Sequence, residues 1–445
     1  MRIVLFLLLA AASFGAQAAD ANVRRIIDSP QFKTATALLE KDHDRFVREL
    51  ITLTEIPAPP FKEKARAEAL LALLRDQALS DVEMDEAGNV LGVWRGAGSS
   101  GLGTGGSGPG ARGSQTGVQE AGGTRPMVAV LTHIDTVFPE GTDVKVKRAG
   151  DQLNAPGVGD NTRGIALVLS LIRAMKAAGF KTTSDILFVG NVGEEGEGDL
   201  RGVKFLLQKG KYKDRIKQFI AVDGGDQATI TTGGVGSRRY RATFKGPGGH
   251  SYAAFGLVNP AYAMAGAIAR FSRITVPQEP KTTFNIGAVS GGTSVNSIPF
   301  EVHMDVDMRS ESCAELKKLD DQFLAVVREA VEEENKARST REGKIVADPK
   351  MIGDRPCGET PRSAPIVQTT AAVVRAFGLA PAYEMSSTDA NMPMSLGIPA
   401  VTIGRGPGGR SHSLDEFTVV EPKADLRAAQ VALAIILSVA GITGG

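Results

Sequence analysis

The stretch Ile186-Leu-Phe-Val-Gly-Asn-Val-Gly-Glu194-Glu195-Gly-Glu197-Gly places two adjacent carboxylates just after an apolar run. Ile186 to Val189 reads as a buried strand that ends at glycines. Neighbouring side chains on extended backbone point to opposite sides. Glu194 and Glu195 therefore face different things, and one can bind a cation while the other handles a proton. Like charges side by side cost free energy unless a cation neutralises them. A solvated acidic turn explains this stretch equally well when it is taken alone, so the reading depends on whether the chain supplies further ligands.

It supplies them at four other places. Met127-Val-Ala-Val-Leu-Thr-His133-Ile-Asp135 is a second apolar run, and period 2 puts His133 and Asp135 on one face at its end. A carboxylate beside a metal-bound imidazole orients the ring and raises its basicity; the alternative is a histidine that only caps its strand. Asn154-Ala-Pro-Gly-Val-Gly-Asp160-Asn161-Thr-Arg-Gly164 is a tight loop that delivers Asp160 to the start of an apolar helix. Asp160 either caps that helix or bridges two cations with its charge stabilised by the helix N-terminus. Phe219-Ile-Ala-Val-Asp223 is a third buried strand ending in an acid, and Gly404-Arg-Gly-Pro-Gly-Gly-Arg-Ser-His412 brings a histidine on a glycine-rich loop. Three successive strands ending in His133/Asp135, Glu194/Glu195 and Asp223, with helices between, give the α/β pattern of a mainly parallel sheet. Ligands in such sheets collect at the carboxyl ends of the strands.

The elements that must hold these residues follow from periodicity. Residues 19–60 read as helical, ended by Pro57, Pro59 and Pro60, and a second helix runs from Glu63 to about Leu79. Val82–Met84 and Val90–Trp94 read as strands around a turn. Residues 96–126 are dominated by small and polar types and are expected to be a flexible, disordered insert. The region 235–356 has another texture, in the order β-α-β-β-α-β of a split ferredoxin-like unit. Its strand from Phe300 to Met308 alternates, with Val302, Met304, Val306 and Met308 on one face. It also holds Pro247-Gly-Gly-His250-Ser, Asn296 and Arg309. His43, among charged neighbours, and His303, on a polar strand face, are given no functional role.

Composition bounds the rest. At 445 residues two domains are expected, and 42% hydrophobic with 23% charged residues is ordinary for a globular chain. The balance of 51 basic against 50 acidic residues gives no reason for a nucleic-acid or anionic-membrane partner. Residues 1–18 read as a signal peptide, with Arg2, an apolar run from Ile3 to Ala12 and the cleavage site Ala16-Gln17-Ala18. Export to a periplasm or the medium is expected, with no membrane association after cleavage. The run is too short to span a bilayer. Cys313 and Cys357 could pair in an oxidising compartment, but two cysteines in so long a chain are no disulfide framework, so unpaired thiols are the favoured of the two readings.

The set His133, Asp135, Asp160, Glu194, Glu195, Asp223 and His412, in this order and spacing, resembles the zinc-dependent peptidase family of bacterial glutamate carboxypeptidase, peptidase T, acetylornithine deacetylase, succinyl-diaminopimelate desuccinylase and aminoacylase. Gly-Pro-Gly-Gly-His250-Ser at the start of the 235–356 region adds to it, and the likeness covers about residues 45–440 apart from the insert. The resemblance implies a three-layer α/β/α catalytic domain with a mainly parallel sheet (19–234 and 357–445), carrying an inserted ferredoxin-like lid and dimerisation domain (235–356). It implies two zinc ions, with cobalt or manganese as substitutes. Asp160 would bridge them, His133 and Asp223 completing one shell and Glu195 and His412 the other. Asp135 would orient His133, and Glu194 would be the general base on a bridging water. A non-proline cis peptide is implied between Asp160 and Asn161. The lid would supply His250, often in trans from the partner subunit of a homodimer, to the scissile carbonyl, and Asn296 and Arg309 to a substrate carboxylate. The expected function is a di-zinc exopeptidase hydrolysing amide bonds of small peptides. The alternative is an N-acyl amino-acid deacylase with the same metal site. A non-catalytic binding protein would have lost the base or a ligand, and none is lost; a nucleotide-binding reading of the glycine loops lacks the lysine and the strand–helix setting.

Overall fold

The computed structural model describes residues 19–77, 79–97 and 125–443. The segment read as a signal peptide and nearly all of the small-residue stretch at 96–126 lie outside the described residues.

Thirteen strands position the site. They are β1 (Ser80–Met84), β2 (Val90–Trp94), β3 (Met127–His133), β4 (Asp185–Asn191), β5 (Ile216–Gly224), β6 (Thr229–Gly234), β7 (Gly236–Lys245), β8 (Thr282–Gly291), β9 (Glu301–Ser310), β10 (Val346–Arg355), β11 (Gly358–Glu359), β12 (Ala382–Ser386) and β13 (Ala400–Gly404). The main sheet runs β1-β2-β4-β3-β5-β13-β6-β11, with β12 also on β6. β4, β3, β5 and β13 are mutually parallel, and antiparallel strands close both sides. The register pairs His133 with Asn191. Both chains therefore leave the sheet at one level, and the ligand-bearing turns start side by side.

The apolar runs are continuous because both sheet faces are covered. In β3, Val128 and Val130 pack into the core on one face, and Met127, Ala129 and Leu131 into the core on the other. In β4, Ile186 and Phe188 alternate with Leu187 and Val189 in the same way. One face is covered by helices α1 (Pro30–Lys41), α2 (His43–Thr54), α3 (Gly164–Ala177) and others, including α7 (Pro422–Ala440); the opposite face is covered chiefly by α4 (Arg201–Gln208). The result is the three-layer α/β/α arrangement. The region expected to be helical over 19–60 is divided into a helix over 19–27, α1 and α2. The first break falls at Ser29-Pro30, where Ser29 accepts a hydrogen bond from the Phe32 N–H and Pro30 opens the next helix. The helix expected to reach about Leu79 ends at Arg75.

The second sheet is antiparallel, in the order β8-β9-β7-β10. Helices α5 (Pro260–Phe271) and α6 (Cys313–Ala337) cover one of its faces. Val302, Met304, Val306 and Met308 are buried there, as the alternation requires, against Phe271, Leu319 and Phe323. The opposite face carries Arg239, Asp307 and Arg309. The helices lie between the expected strands, in the ferredoxin-like order.

Cys313 and Cys357 form a disulfide, with Cα atoms 5.6 Å apart across a separation of 44 residues. Of the two readings the sequence left open, the disulfide is the one formed, against the favoured pair of free thiols. Nothing in the local sequence marks the pair, because tertiary packing alone brings the start of α6 to the residue after Pro356.

The chain crosses between the two sheets at Val235 and again at Pro356–Cys357. Both crossovers meet one side chain. The Asn391 amide Nδ2 donates to Val235 O at 2.8 Å and to Pro356 O at 2.9 Å, while Oδ1 accepts the Thr388 N–H at 3.0 Å. Asn391 is fully buried. Replacing it by alanine strands three backbone groups. Asn391→Ala is expected to lower unfolding free energy by about 2–4 kcal/mol, to be measured by urea denaturation.

Candidate metal centre

Beyond the ends of β3, β4 and β5 the side chains converge. His133 Nε2 lies 3.1 Å from Asp160 Oδ1 and 3.6 Å from Asp223 Oδ1. The other oxygen of the same aspartate, Asp160 Oδ2, lies 3.4 Å from His412 Nε2, which is 2.9 Å from Glu195 Oε1. Potential ligand atoms within 4.8 Å of one another form three groups: His133/Asp160/Asp223, Asp160/Glu195/His412 and His133/Glu194/Glu195. The first two are two ligand sets sharing Asp160, with a different oxygen turned to each. All seven residues singled out at the strand ends and loops meet here. A donor set of imidazoles and carboxylates without thiolate fits zinc, and also manganese or cobalt.

The electrostatics fit a site built for cations. Burial alone would drive His133 neutral, but Asp223, Asp135 and Asp160 hold the ring well above the usual histidine range. Hydrogen bonds to Asp160 and Glu195 raise His412 to about 10. Burial opposes the charge on Asp160, yet Arg405, His133 and His412 hold it well below the usual carboxylate range. Burial, with Glu195 beside it, pushes Glu194 well above that range even though Arg355 counters. Acids this crowded need positive charge around them.

Residues 129–438 match the model of peptidase family M20/M25/M40. The chain belongs to this family. It is a hydrolase of the metallopeptidase type. Carboxypeptidase G2 of Pseudomonas sp. (strain RS-16) is 25% identical over 183 residues, 40% of this chain and 43% of that protein, so the match spans less than half of that relative's length. The aminopeptidase PepT of Bacillus cereus ATCC 10987 has the same fold, with a TM-score of 0.67 at 20% identity over 90% of this chain and 99% of that one. A dinuclear metal-binding peptidase of Bacillus subtilis is similar at a TM-score of 0.61 and 15% identity, covering 90% of this chain and 99% of its own.

The candidate ligand set is held by a layer of buried polar groups. The Asp135 carboxylate accepts the N–H groups of Glu194 at 3.0 Å and Glu195 at 2.8 Å. The Nδ1 of His133 lies 3.1 Å from the Asp135 carbonyl and 3.5 Å from its carboxylate. Asp135 thus aims the imidazole and also fixes the glutamate turn. That turn closes tightly: a Cβ on Gly198 would lie 2.5 Å from the Gly193 Cα. The loop bearing Asp160 is fastened by Glu416, which accepts the N–H groups of Gly157, Gly159 and Asp160 at 3.0, 2.9 and 2.7 Å. The peptide between Asp160 and Asn161 is cis, as the resemblance implies. The following helix starts at Gly164, where a Cβ would meet Asn161 Oδ1 at 2.3 Å.

A cavity of about 390 Å³ opens onto this centre, lined by Asp160, Glu194, Glu195, Asp223 and His412 together with Arg309. His250 and Asn296 are elsewhere. The short strand pair Gly249–His250 and Ser297–Ile298 carries His250, with Asn296 just before it, and both are exposed. Five residues that the sequence did not single out belong to the site: Arg239, Arg355, Asp389, Arg405 and Glu416. Arg405 pairs with Asp223 at 2.7 Å. Asp389, buried and raised to about 7 chiefly by burial, accepts from Asn191 at 2.7 Å. Arg405 lies one residue beyond a parallel strand and could have been flagged by the strand-end rule. Arg355 ends an antiparallel strand and has no such signal.

Because hydrogen bonds to Asp160 and Glu195 raise His412 to about 10, and the acids around His133 hold it well above its usual range, both rings hold protons near neutrality. A cation must displace them. Apparent metal affinity is expected to rise with pH, about tenfold per unit for each proton displaced. Calorimetric titration with Zn²⁺ in buffers of differing ionisation heat will count the released protons.

Proposed function

We propose that this chain is an exported di-zinc exopeptidase that hydrolyses amide bonds of small peptides. The observation that carries this reading is the division of labour at the two glutamates. Glu195 belongs to the Asp160/His412 set, whereas Glu194 belongs to neither set that shares Asp160 and faces the same cavity.

His133, Asp160 and Asp223 would hold one ion, and Asp160, Glu195 and His412 the other. Bound there, the pair would lower the pKa of a shared water and stabilise the oxyanion of the attacked carbonyl. Glu194 takes the proton of the attacking water and delivers it to the leaving amine nitrogen as the C–N bond breaks. Arg309 receives a substrate carboxylate. Its Nε is held by Asp307 at 2.8 Å, and its terminal nitrogens make no hydrogen bond among the described residues. Peptide cleavage suits an exported enzyme better than biosynthetic deacylation, and the signal-like residues 1–18 support that choice. Deacylation of N-acyl amino acids is the second reading, because the metal set and base serve both.

His250 and Asn296 are read as acting from a second copy of the chain. Tyr252 is 88% and Phe255 89% exposed beside His250, and Val295 is fully exposed beside Asn296. An apolar patch around two polar site residues fits a homodimer interface through the second domain.

The zinc-loaded protein is expected to cleave dipeptides or tripeptides faster than N-acetyl amino acids, and to lose activity when the recognised terminus is blocked. Glu194→Gln should keep both metals by elemental analysis and lose about 100-fold or more in kcat; full activity in that variant would remove Glu194 as base. Mixing inactive Glu194→Gln and His250→Ala proteins should restore about a quarter of wild-type activity if the sites are shared across a dimer, as read by the same peptide assay.

A further inference from the structure

The turn that carries Glu194 is gripped from the second domain. Arg355, the last residue of β10, is buried and donates through Nη1 to Glu194 Oε1 at 3.0 Å and to Ser387 Oγ at 3.1 Å, and through Nη2 to the Glu194 carbonyl. Arg239 on β7 donates to Gly196 O at 2.8 Å. The Asp354 N–H donates to the two Asp199 carboxylate oxygens at 3.0 and 3.1 Å, and Lys204 bridges Asp199 and the Asp354 carbonyl at 2.6 and 2.9 Å. Asp199 and Leu200 both have left-handed backbone, with φ of 52° and 60°. Two consecutive non-glycine residues in that region persist only where their surroundings hold them.

Arg355 is held in turn by the two residues after it. Pro356 accepts the Asn391 amide at 2.9 Å, and Cys357 is tied by the disulfide to Cys313 at the start of α6. Beyond Cys357 the chain joins the main sheet as β11. The arginine thus leaves from a three-residue crossover pinned at each step, and it reaches both the carboxylate and the carbonyl of one glutamate. A two-point hold of this kind fixes where the carboxylate lies as well as its charge.

We propose that Arg355 is a positioning residue for Glu194, and that the Cys313–Cys357 disulfide holds the crossover from which Arg355 reaches it. The inference rests on the reading of Glu194 as the base. It adds that the base is placed by the second domain, through a cross-link that the ligand set itself does not require.

The test compares wild type, Arg355→Met, Arg355→Lys and the Cys313→Ser/Cys357→Ser double variant. The first readout is amide hydrogen exchange of the folded, metal-free proteins, which needs no activity. Exchange across 193–200 is expected to quicken about tenfold in Arg355→Met and in the double variant, while 186–191 stays unchanged. The second readout is steady-state kinetics of the zinc-loaded proteins. Arg355→Met should lose about 100-fold in kcat with KM within about twofold, Arg355→Lys should recover about tenfold of that loss, and the double variant should lose about tenfold in kcat. Unchanged exchange at 193–200 in Arg355→Met would overturn the positioning role, and a raised KM at intact kcat would make Arg355 a substrate ligand instead. A double variant identical to wild type in both readouts would overturn the part given to the disulfide. If Glu194→Gln keeps full turnover, the base assignment fails by itself, and the exchange data still decide whether Arg355 holds the turn.

Discussion

One carboxylate ties the molecule together. Asp160 turns one oxygen to His133 and the other to His412, so the other residues of both candidate sets are placed relative to it. A group with two such partners tolerates little displacement, and its loop is restrained accordingly. Glu416 takes three backbone donors, and Gly164 allows the next helix to start against the ends of the strands. A buried acid that fastens a loop carrying a second, partly buried acid makes sense only where cations, or the arginines and histidines around them, offset the charge.

The compensation comes from outside the ligand set. Arg405 pairs with Asp223, and Arg355 with Glu194. Asp135 commits its carboxylate to the backbone of the two glutamates as well as to the imidazole. These contacts convert a cluster of acids, which would repel one another, into a fixed arrangement. They also divide the site between domains, since Arg405 follows the main sheet and Arg355 ends a strand of the second sheet. Membership of peptidase family M20/M25/M40 fits a metal centre with this donor set; the arrangement of the arginines and the disulfide follows from this chain's own contacts.

The two sheets meet through little covalent structure, at Val235 and at Pro356–Cys357. Asn391 spans both with one amide group. Its place in the sequence, in a polar run after Ser386, reads as an ordinary loop. Only the fold shows that its neighbours are the two crossovers. The same applies to Asp389, whose burial lifts it to about 7 beneath the ligands.

The amino-acid sequence by itself determined which residues converge at the candidate metal centre, the mainly parallel sheet and the ferredoxin-like order of the second domain. It could do so because those features are local: each candidate residue follows its own strand or sits in its own glycine-marked loop, and alternation or helical spacing is written along the chain. His133, Asp160, Glu194, Glu195, Asp223 and His412 were legible for that reason. Tertiary structure alone decided which charges face them. Arg355, Arg405 and Glu416 lie 161, 182 and 256 residues from Glu194, Asp223 and Asp160, the acids or backbone they contact. It also decided the Cys313–Cys357 pairing, which the sequence left open, and the placement of His250 and Asn296 away from the candidate metal centre. Such contacts depend on how whole layers pack, and no periodicity in the chain records that.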